Sequence, residues 1–97
     1  MLKQSQKRHL KALAHPLKPV VIVGANGVTP AVLDEVRLAL EHHELIKVRV
    51  NAGDREQREA LIADIVEATG CELVQRIGHI AAFFRRNPDK PRITLPA

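Results

Sequence analysis

The feature that most constrains the fold is the segment 20–30, which reads VVIVGANGVTP. The four residues before Gly24 are β-branched and favour a short buried strand. Thr29 and Pro30 are preferred at the N-cap and at the first position of an α-helix. The segment therefore predicts a strand, a Gly-x-x-Gly loop and a helix in direct succession. Such a loop exposes its backbone, and the amides at the helix N-terminus attract an anion such as phosphate.

The loop 24–27 does not match the common nucleotide-binding motifs. The dinucleotide fingerprint requires a third glycine, and the Walker motif requires a Lys followed by Ser or Thr, whereas Gly27 is followed by Val28 and Thr29. KH-type domains use Gly-x-x-Gly to clamp an RNA backbone. A tight turn between strand and helix, with Asn26 and Gly27 as its left-handed residues, would account for the same residues. The loop alone leaves both interpretations open.

The composition is that of one small globular domain. A chain of 97 residues is long enough for a single core. No apolar run approaches the ~18 residues that a membrane span needs. The basic N-terminus is not followed by the apolar region of a secretory signal, so we expect a cytoplasmic protein. Cys71 is the sole cysteine, which excludes an internal disulfide, and its setting predicts a small buried hydrophobic residue.

Charge is segregated along the chain. Residues 1–27 carry five Lys or Arg and no acid, whereas 28–44 and 54–69 each carry a net charge of −3. The total is +4. This polarity suits a polyanion bound on one side of the molecule, although a merely solvated surface would also account for it.

Periodicity predicts three helices and four strands. Apolar residues at helical spacing indicate a basic amphipathic helix over 2–15, ended by Pro16, and two further helices over 30–42 and 54–69. Strands are predicted over 20–23, 45–50, 72–77 and 79–85, with Gly78 in a hairpin between the last two. Alternation in 45–50 places Lys47 and Arg49 on the face opposite to the apolar residues.

The predicted order α-β-α-β-α-β-β defines an α/β fold class. Two helical crossovers and one hairpin require a mixed sheet, so we expect a two-layer domain with four strands. The segment 1–15 is an added helix whose docking position the pattern does not specify. Phe83 and Phe84 must point to opposite faces of their strand, one into the core and the other under the first helix or toward a partner. Residues 87–97 are expected to form a mobile basic tail.

Several kinds of active site receive little support. His42 and His43 are adjacent on a helix and diverge by about 100°, so they do not converge on a metal ion. The acids at the start of the helix 54–69 are explained by the helix dipole. There is no Trp or Tyr, so the sheet cannot stack bases as an RRM or OB fold does. We therefore expect no enzyme activity, no metal and no cofactor.

Several motifs together resemble a known family. They are LKPVV at 17–21, GANGVT at 24–29, ALEHHELIKV at 39–48, DRE at 54–56 and VQ-x-IG at 74–78. In this order and spacing they resemble the CRM domain (chloroplast RNA splicing and ribosome maturation), specifically its bacterial stand-alone YhbY type. The resemblance implies an RNA-binding module that associates with precursors of the large ribosomal subunit. It also implies a fold similar to the C-terminal domain of translation initiation factor three. Ala25 and Phe84 stand where the family often has a polar or basic residue and a Tyr.

The hypothesis is a monomeric RNA-binding protein that assists assembly of the large ribosomal subunit. The loop and the helix N-terminus would position phosphates, and Lys and Arg side chains would supply salt-sensitive affinity. The alternative is a protein-interaction adaptor whose basic first helix docks on an acidic ribosomal protein or an assembly GTPase. The candidate RNA-binding residues are Gly24, Ala25, Asn26, Gly27, Lys3, Lys7, Arg8, Lys11, Lys18, Lys47, Arg49, Arg85 and Arg86.

Overall fold

The computed structural model describes residues 2–51 and 53–97. Its elements follow the predicted order: α1 (Gln4–Ala14), β1 (Pro19–Val23), α2 (Pro30–His43), β2 (Leu45–Val50), α3 (Arg55–Thr69), β3 (Glu72–Ile77) and β4 (Ile80–Phe84). No helix in these two ranges is both long and apolar enough to cross a bilayer.

Local capping signals set the bounds of α2 and α3. Thr29 Oγ1 accepts from the Val32 amide over 3.2 Å, with Pro30 in the first turn. Asp54 caps α3 by accepting from the Gln57 amide over 2.9 Å, while the Asp54 amide donates to the Gln57 side chain. Gly70 ends α3 in the left-handed conformation. These are short-range interactions, which explains why the helix bounds were predicted to within one residue.

The four strands form one mixed sheet in the order β1-β2-β4-β3. β1 and β2 are parallel, and β4 is antiparallel to both β2 and β3. The crossover through α2 joins neighbouring strands, whereas the crossover through α3 skips the position that β4 fills. β1 is an edge strand and begins at Pro19, which is tolerated there because an edge strand can spare one N–H donor. The prediction of a four-stranded mixed sheet is confirmed.

The two faces of the sheet are covered to different extents. α2 and α3 cover one face over a core that contains Val36, Ile46, Val48, Ile65 and Phe83. This is the two-layer unit that the alternation in β2 predicts. α1 covers part of the other face and adds an incomplete third layer. There, buried residues form a second cluster: Leu10, Ala14, Leu45, Val74, Ala82 and Phe84. Phe83 and Phe84 thus pack on opposite faces, as predicted, with Phe84 in the cluster under α1.

The C-terminal segment differs from the expected mobile tail, because it lies against the domain. The carboxylate of Glu44 is fully buried and accepts from the amides of Asn87 (2.7 Å), Arg92 (2.6 Å) and Ile93 (2.8 Å). Ile93 and Leu95 pack against the second cluster. Composition alone suggested mobility, but a buried carboxylate requires donors and the tail backbone provides them.

Candidate nucleic-acid interface

The loop 24–27 is a tight turn that leads from β1 into α2. The Gly27 amide donates to the Gly24 carbonyl over 3.0 Å, and the Thr29 amide donates to the Gly27 carbonyl over 3.2 Å. Gly24, Ala25 and Asn26 are exposed, and Gly27 is half-buried. The turn therefore presents its backbone at the surface in front of the α2 N-terminus.

The two glycines of this loop have different roles. Gly27 has φ +73°, a conformation that other residues adopt only with strain. A Cβ atom on Gly24 would meet no atom within 4 Å, and φ at Gly24 is not positive. Gly27 is thus required by the turn, whereas the absent side chain at Gly24 leaves open space beside the loop backbone.

The N-terminus of α2 carries no compensating acid. Its first turn contains no Asp or Glu, whereas α3 has Asp54 as N-cap and Glu56 in its first turn. The helix dipole places partial positive charge at an N-terminus. At α3, carboxylates offset that charge. At α2, the partial positive charge is available to attract an anion near the glycine loop.

A shallow groove of about 570 Å³ separates the loop from the start of α3. Ala25, Asn26 and Gly27 line one side, and Asn51, Gly53 and Gln57 contribute to the other. The Asn51 amide donates to the Val23 carbonyl over 2.9 Å, which extends the parallel pairing beyond β2. Neither Asn51 nor Gln57 is among the site residues that the sequence predicts. Asn51 could have been predicted from the parallel pairing of β1 with β2, because this pairing brings the residues after both strands to the same end of the sheet.

Basic side chains extend from this groove along the sheet face that α1 only partly covers. Lys47 and Arg49 point to this face, and Lys47 Nζ donates to the His15 carbonyl at the end of α1 over 3.2 Å. Lys11 and Lys47 line one cavity of about 240 Å³ with Gln75 and Ile80. Arg49 Nε donates to Asn51 Oδ1 over 2.9 Å, which connects this surface to the groove.

Two more candidates on α1 share the flank of Lys11. Lys7 precedes Lys11 by four residues and Arg8 precedes it by three, spacings that place side chains on one side of a helix. We call the set Lys7, Arg8, Lys11, Lys47 and Arg49 the basic face. With the loop 24–27, it forms a continuous candidate interface.

Four predicted site residues lie elsewhere. Arg85 follows β4, whose last residue Phe84 pairs with the first residue of β2, at the end of the sheet opposite to the loop. Arg85 Nη1 donates to the Thr69 carbonyl over 2.8 Å and thereby binds the C-terminus of α3. Arg86 shares this end of the sheet and lines a cavity with Gln6 of α1. Lys3 is the N-cap of α1, and Lys18 lines a different, apolar groove.

Cys71 takes no part in this interface. It is buried in the core under α2 and α3, as predicted, and burial raises the pKa of its thiol. In residues 2–51 and 53–97 no three His, Cys, Asp or Glu side chains are grouped as metal ligands would be.

The fold and the candidate interface define a small α/β module with an exposed glycine loop and an adjoining basic face. The chain belongs to the CRS1/YhbY (CRM) domain family, whose family model matches residues 2–85. The resemblance seen in the sequence motifs is therefore confirmed.

Similar proteins match over nearly the whole chain. An RNA-binding protein of Haemophilus influenzae is 48% identical over 95 residues, covering 98% of this chain and 95% of the relative. A probable RNA-binding protein of Pseudomonas aeruginosa is 45% identical over 94 residues, covering 97% and 89%. A solved structure, that of a hypothetical Staphylococcus aureus protein named as a candidate RNA-binding protein, superposes with a TM-score of 0.85 at 35% identity. The superposition covers 99% of this chain and 100% of the other.

Proposed function

We propose that this protein binds RNA through the loop 24–27 and the basic face. The observation that carries the proposal is the continuity between them, through the hydrogen bond of Arg49 to Asn51. The names of the relatives support RNA as the ligand. An RNA phosphate would lie in front of the α2 N-terminus, and neighbouring phosphates would meet the Lys and Arg side chains.

The mode of recognition follows from the side chains at the interface. The described residues place no Phe, Tyr or Trp ring on the basic face, because the chain has no Tyr or Trp and both Phe83 and Phe84 are buried. Backbone amides and flexible cations bind phosphates and do not distinguish base sequences. The protein would therefore select RNA by the spacing of its phosphates, as structured RNA provides. Asn26 in the loop and Asn51 beside it are polar side chains that could contact a base edge.

The specific RNA in this proposal is ribosomal RNA in precursors of the large subunit. This assignment rests on the resemblance to the bacterial stand-alone YhbY type. The protein would act in the cytoplasm as a monomeric binding protein, without catalysis or a cofactor, and would assist folding or assembly of the particle.

Crosslinking in cells, followed by sequencing of the attached RNA, tests this proposal. We expect crosslinks concentrated in large-subunit ribosomal RNA, and co-sedimentation of the protein with large-subunit precursors. A variant with Lys7→Glu and Arg8→Glu should lose both signals. Crosslinks spread over unrelated RNAs would contradict the ribosomal assignment, and equal crosslinking of the variant would contradict the assigned interface.

A further inference from the structure

A second groove lies on the flank of α1 opposite to Lys11. It has a volume of about 480 Å³ and a largely aliphatic lining. Leu13 and Leu17 form the side contributed by α1 and the segment that follows it, Val20 of β1 faces them, and Ile93 of the C-terminal segment contributes a further wall. Leu45 of β2 also lines it. We call this the apolar groove.

The walls of the apolar groove are unusually exposed. Leu13 is 40% exposed, Leu17 is 39% exposed and Val20 is 53% exposed. Ile22, two residues beyond Val20 on the same face of an edge strand, is 60% exposed and extends the patch. Single exposed aliphatic residues are normal on protein surfaces, but a contiguous patch marks an interaction site.

The C-terminal segment does not close the groove. The Glu44 carboxylate holds the Arg92 and Ile93 amides, so the tail backbone is already anchored. In that position Ile93 completes the lining and leaves Leu13, Leu17 and Val20 exposed. The described residues therefore leave the groove uncovered.

The charge around the groove indicates the chemistry of that occupant. Lys18, Lys47 and His43 contribute to its lining, which contains no Asp or Glu among the residues described. An occupant should carry carboxylates to face the two lysines and aliphatic side chains to fill the apolar walls. RNA would satisfy the lysines but not the aliphatic walls, because bases bind through stacking on rings or hydrogen bonds, and His43 is the one ring among the described lining residues.

We propose that the apolar groove binds an acidic amphipathic helix of a partner protein. Helices dock in hydrophobic grooves through aliphatic residues that repeat every three or four positions. Leucines of the partner would insert between Leu13, Leu17 and Val20, while its flanking carboxylates would pair with Lys18 and Lys47. This surface is separate from the glycine loop and shares only Lys47 with the basic face, so its aliphatic walls can be tested apart from RNA binding.

A peptide titration of the isotopically labelled full chain, followed by NMR, tests the docking site. The probe is a designed helical peptide with Leu at positions i, i+4 and i+7 and Glu on both flanks. We expect saturable shifts of the amides of Leu13, Leu17, Val20 and Ile93. A control peptide with Ser in place of each Leu should give none. Absence of saturable shifts with the Leu peptide, or shifts centred on other residues, would overturn the proposal.

Matched variants make the test specific. Leu13→Ser should weaken peptide binding at least tenfold, whereas Leu38→Ser, which changes a 57% exposed leucine on α2, should not. Both variants should keep the parental amide spectrum away from the substitution and bind an RNA fragment as the parent does.

Equal peptide affinity for parent and Leu13→Ser would refute the proposal. So would loss of RNA binding by Leu13→Ser alone, since the groove would then belong to the RNA interface. Concentration-dependent shifts of the groove residues without peptide would identify a second copy of the chain as the occupant and would also refute it.

Discussion

Arg49 donates from Nε to Oδ1 of Asn51 over 2.9 Å, and this hydrogen bond links the basic face to the groove beside the glycine loop. Arg49 lies near the end of β2, and Asn51 follows the strand, where its amide bonds to Val23 at the end of β1. The guanidinium retains further N–H donors that can bind a phosphate. In the proposed complex, the pair would set the distance between a phosphate at the loop and the next cation.

Affinity for RNA should depend strongly on salt. If the basic face and the loop bind RNA as proposed, about four to seven phosphate contacts would give a log–log slope of roughly −3 to −6 for the association constant against salt concentration. A filter-binding or fluorescence-anisotropy series with one ribosomal RNA fragment measures this slope. An affinity that does not change between low and physiological salt would contradict an electrostatic interface.

Charge reversal on α1 should weaken RNA binding without unfolding the protein. Lys7→Glu with Arg8→Glu is expected to reduce affinity at least tenfold, or about 1.4 kcal/mol. Thermal stability should change little, because Arg8 is exposed and Lys7 is only half-buried, and charges near the surface contribute little to folding. The matched control is Lys90→Glu with Arg92→Glu, which makes the same change in net charge at two exposed side chains of the C-terminal segment. An equal loss of affinity in the control would show that only total charge matters.

Two substitutions in the loop should have opposite effects on RNA affinity. Gly24→Asp places a carboxylate in open space before the α2 N-terminus and should weaken binding at least tenfold. Ala25→Lys adds a phosphate partner and should strengthen it. Gly24 is a better test than Gly27, because Gly27→Asp would also force a residue other than glycine to φ +73° at a cost on the order of 1 kcal/mol or more.

Thermal melts and circular dichroism of both loop variants check that the fold is retained. Gly24→Ala serves as the control for an added side chain without charge. If Gly24→Asp and Ala25→Lys both fold and bind RNA as tightly as the parent, the loop is a structural turn and the RNA lies elsewhere.

Acid should release the C-terminal segment through Glu44. Burial by itself would raise the pKa of this carboxyl, but hydrogen bonds from the Asn87, Arg92 and Ile93 amides, together with nearby Arg86, lower it overall. A folded-state pKa below the unfolded value means that the stabilising contribution is present above the ordinary pKa of a glutamate. It is then lost as the pH falls through the folded-state pKa.

This release can be measured as a function of pH by hydrogen exchange of the amides of Asn87, Arg92 and Ile93. Exchange of these three amides, corrected for intrinsic rates, should accelerate together at the acidic end of the series. Glu44→Gln should remove the acid-dependent step, while Glu41→Gln, a substitution of an exposed neighbour, should retain it. Persistence of the step in Glu44→Gln would assign it to another group.

Local interactions explain which features the sequence predicts. The bounds of α2 and α3 depend on Thr29, Asp54 and Gly70, each within a few residues of the atoms it affects. Alternation in β2 determines that Lys47 and Arg49 share a face, because successive side chains in a strand point in opposite directions. The same geometry places Phe83 and Phe84 on opposite faces. The glycine loop is also visible in the sequence, although its role in binding RNA remains a prediction.

Tertiary structure decided what depends on distant contacts. The amphipathic pattern of α1 shows an apolar side but not which sheet face it covers. Docking over Leu45 and Phe84 brings Lys11 to the cavity that Lys47 also lines. The pairing of Phe84 with Leu45 places Arg85 and Arg86 at the end of the sheet opposite to the loop. The tail is held by Glu44, which lies more than forty residues earlier in the chain. Asn51 joins the candidate interface through the parallel pairing of β1 and β2. Short-range capping and strand alternation can be read from neighbouring residues, whereas burial of Glu44 and the placement of α1 minimise the free energy of the whole chain and have no local signature.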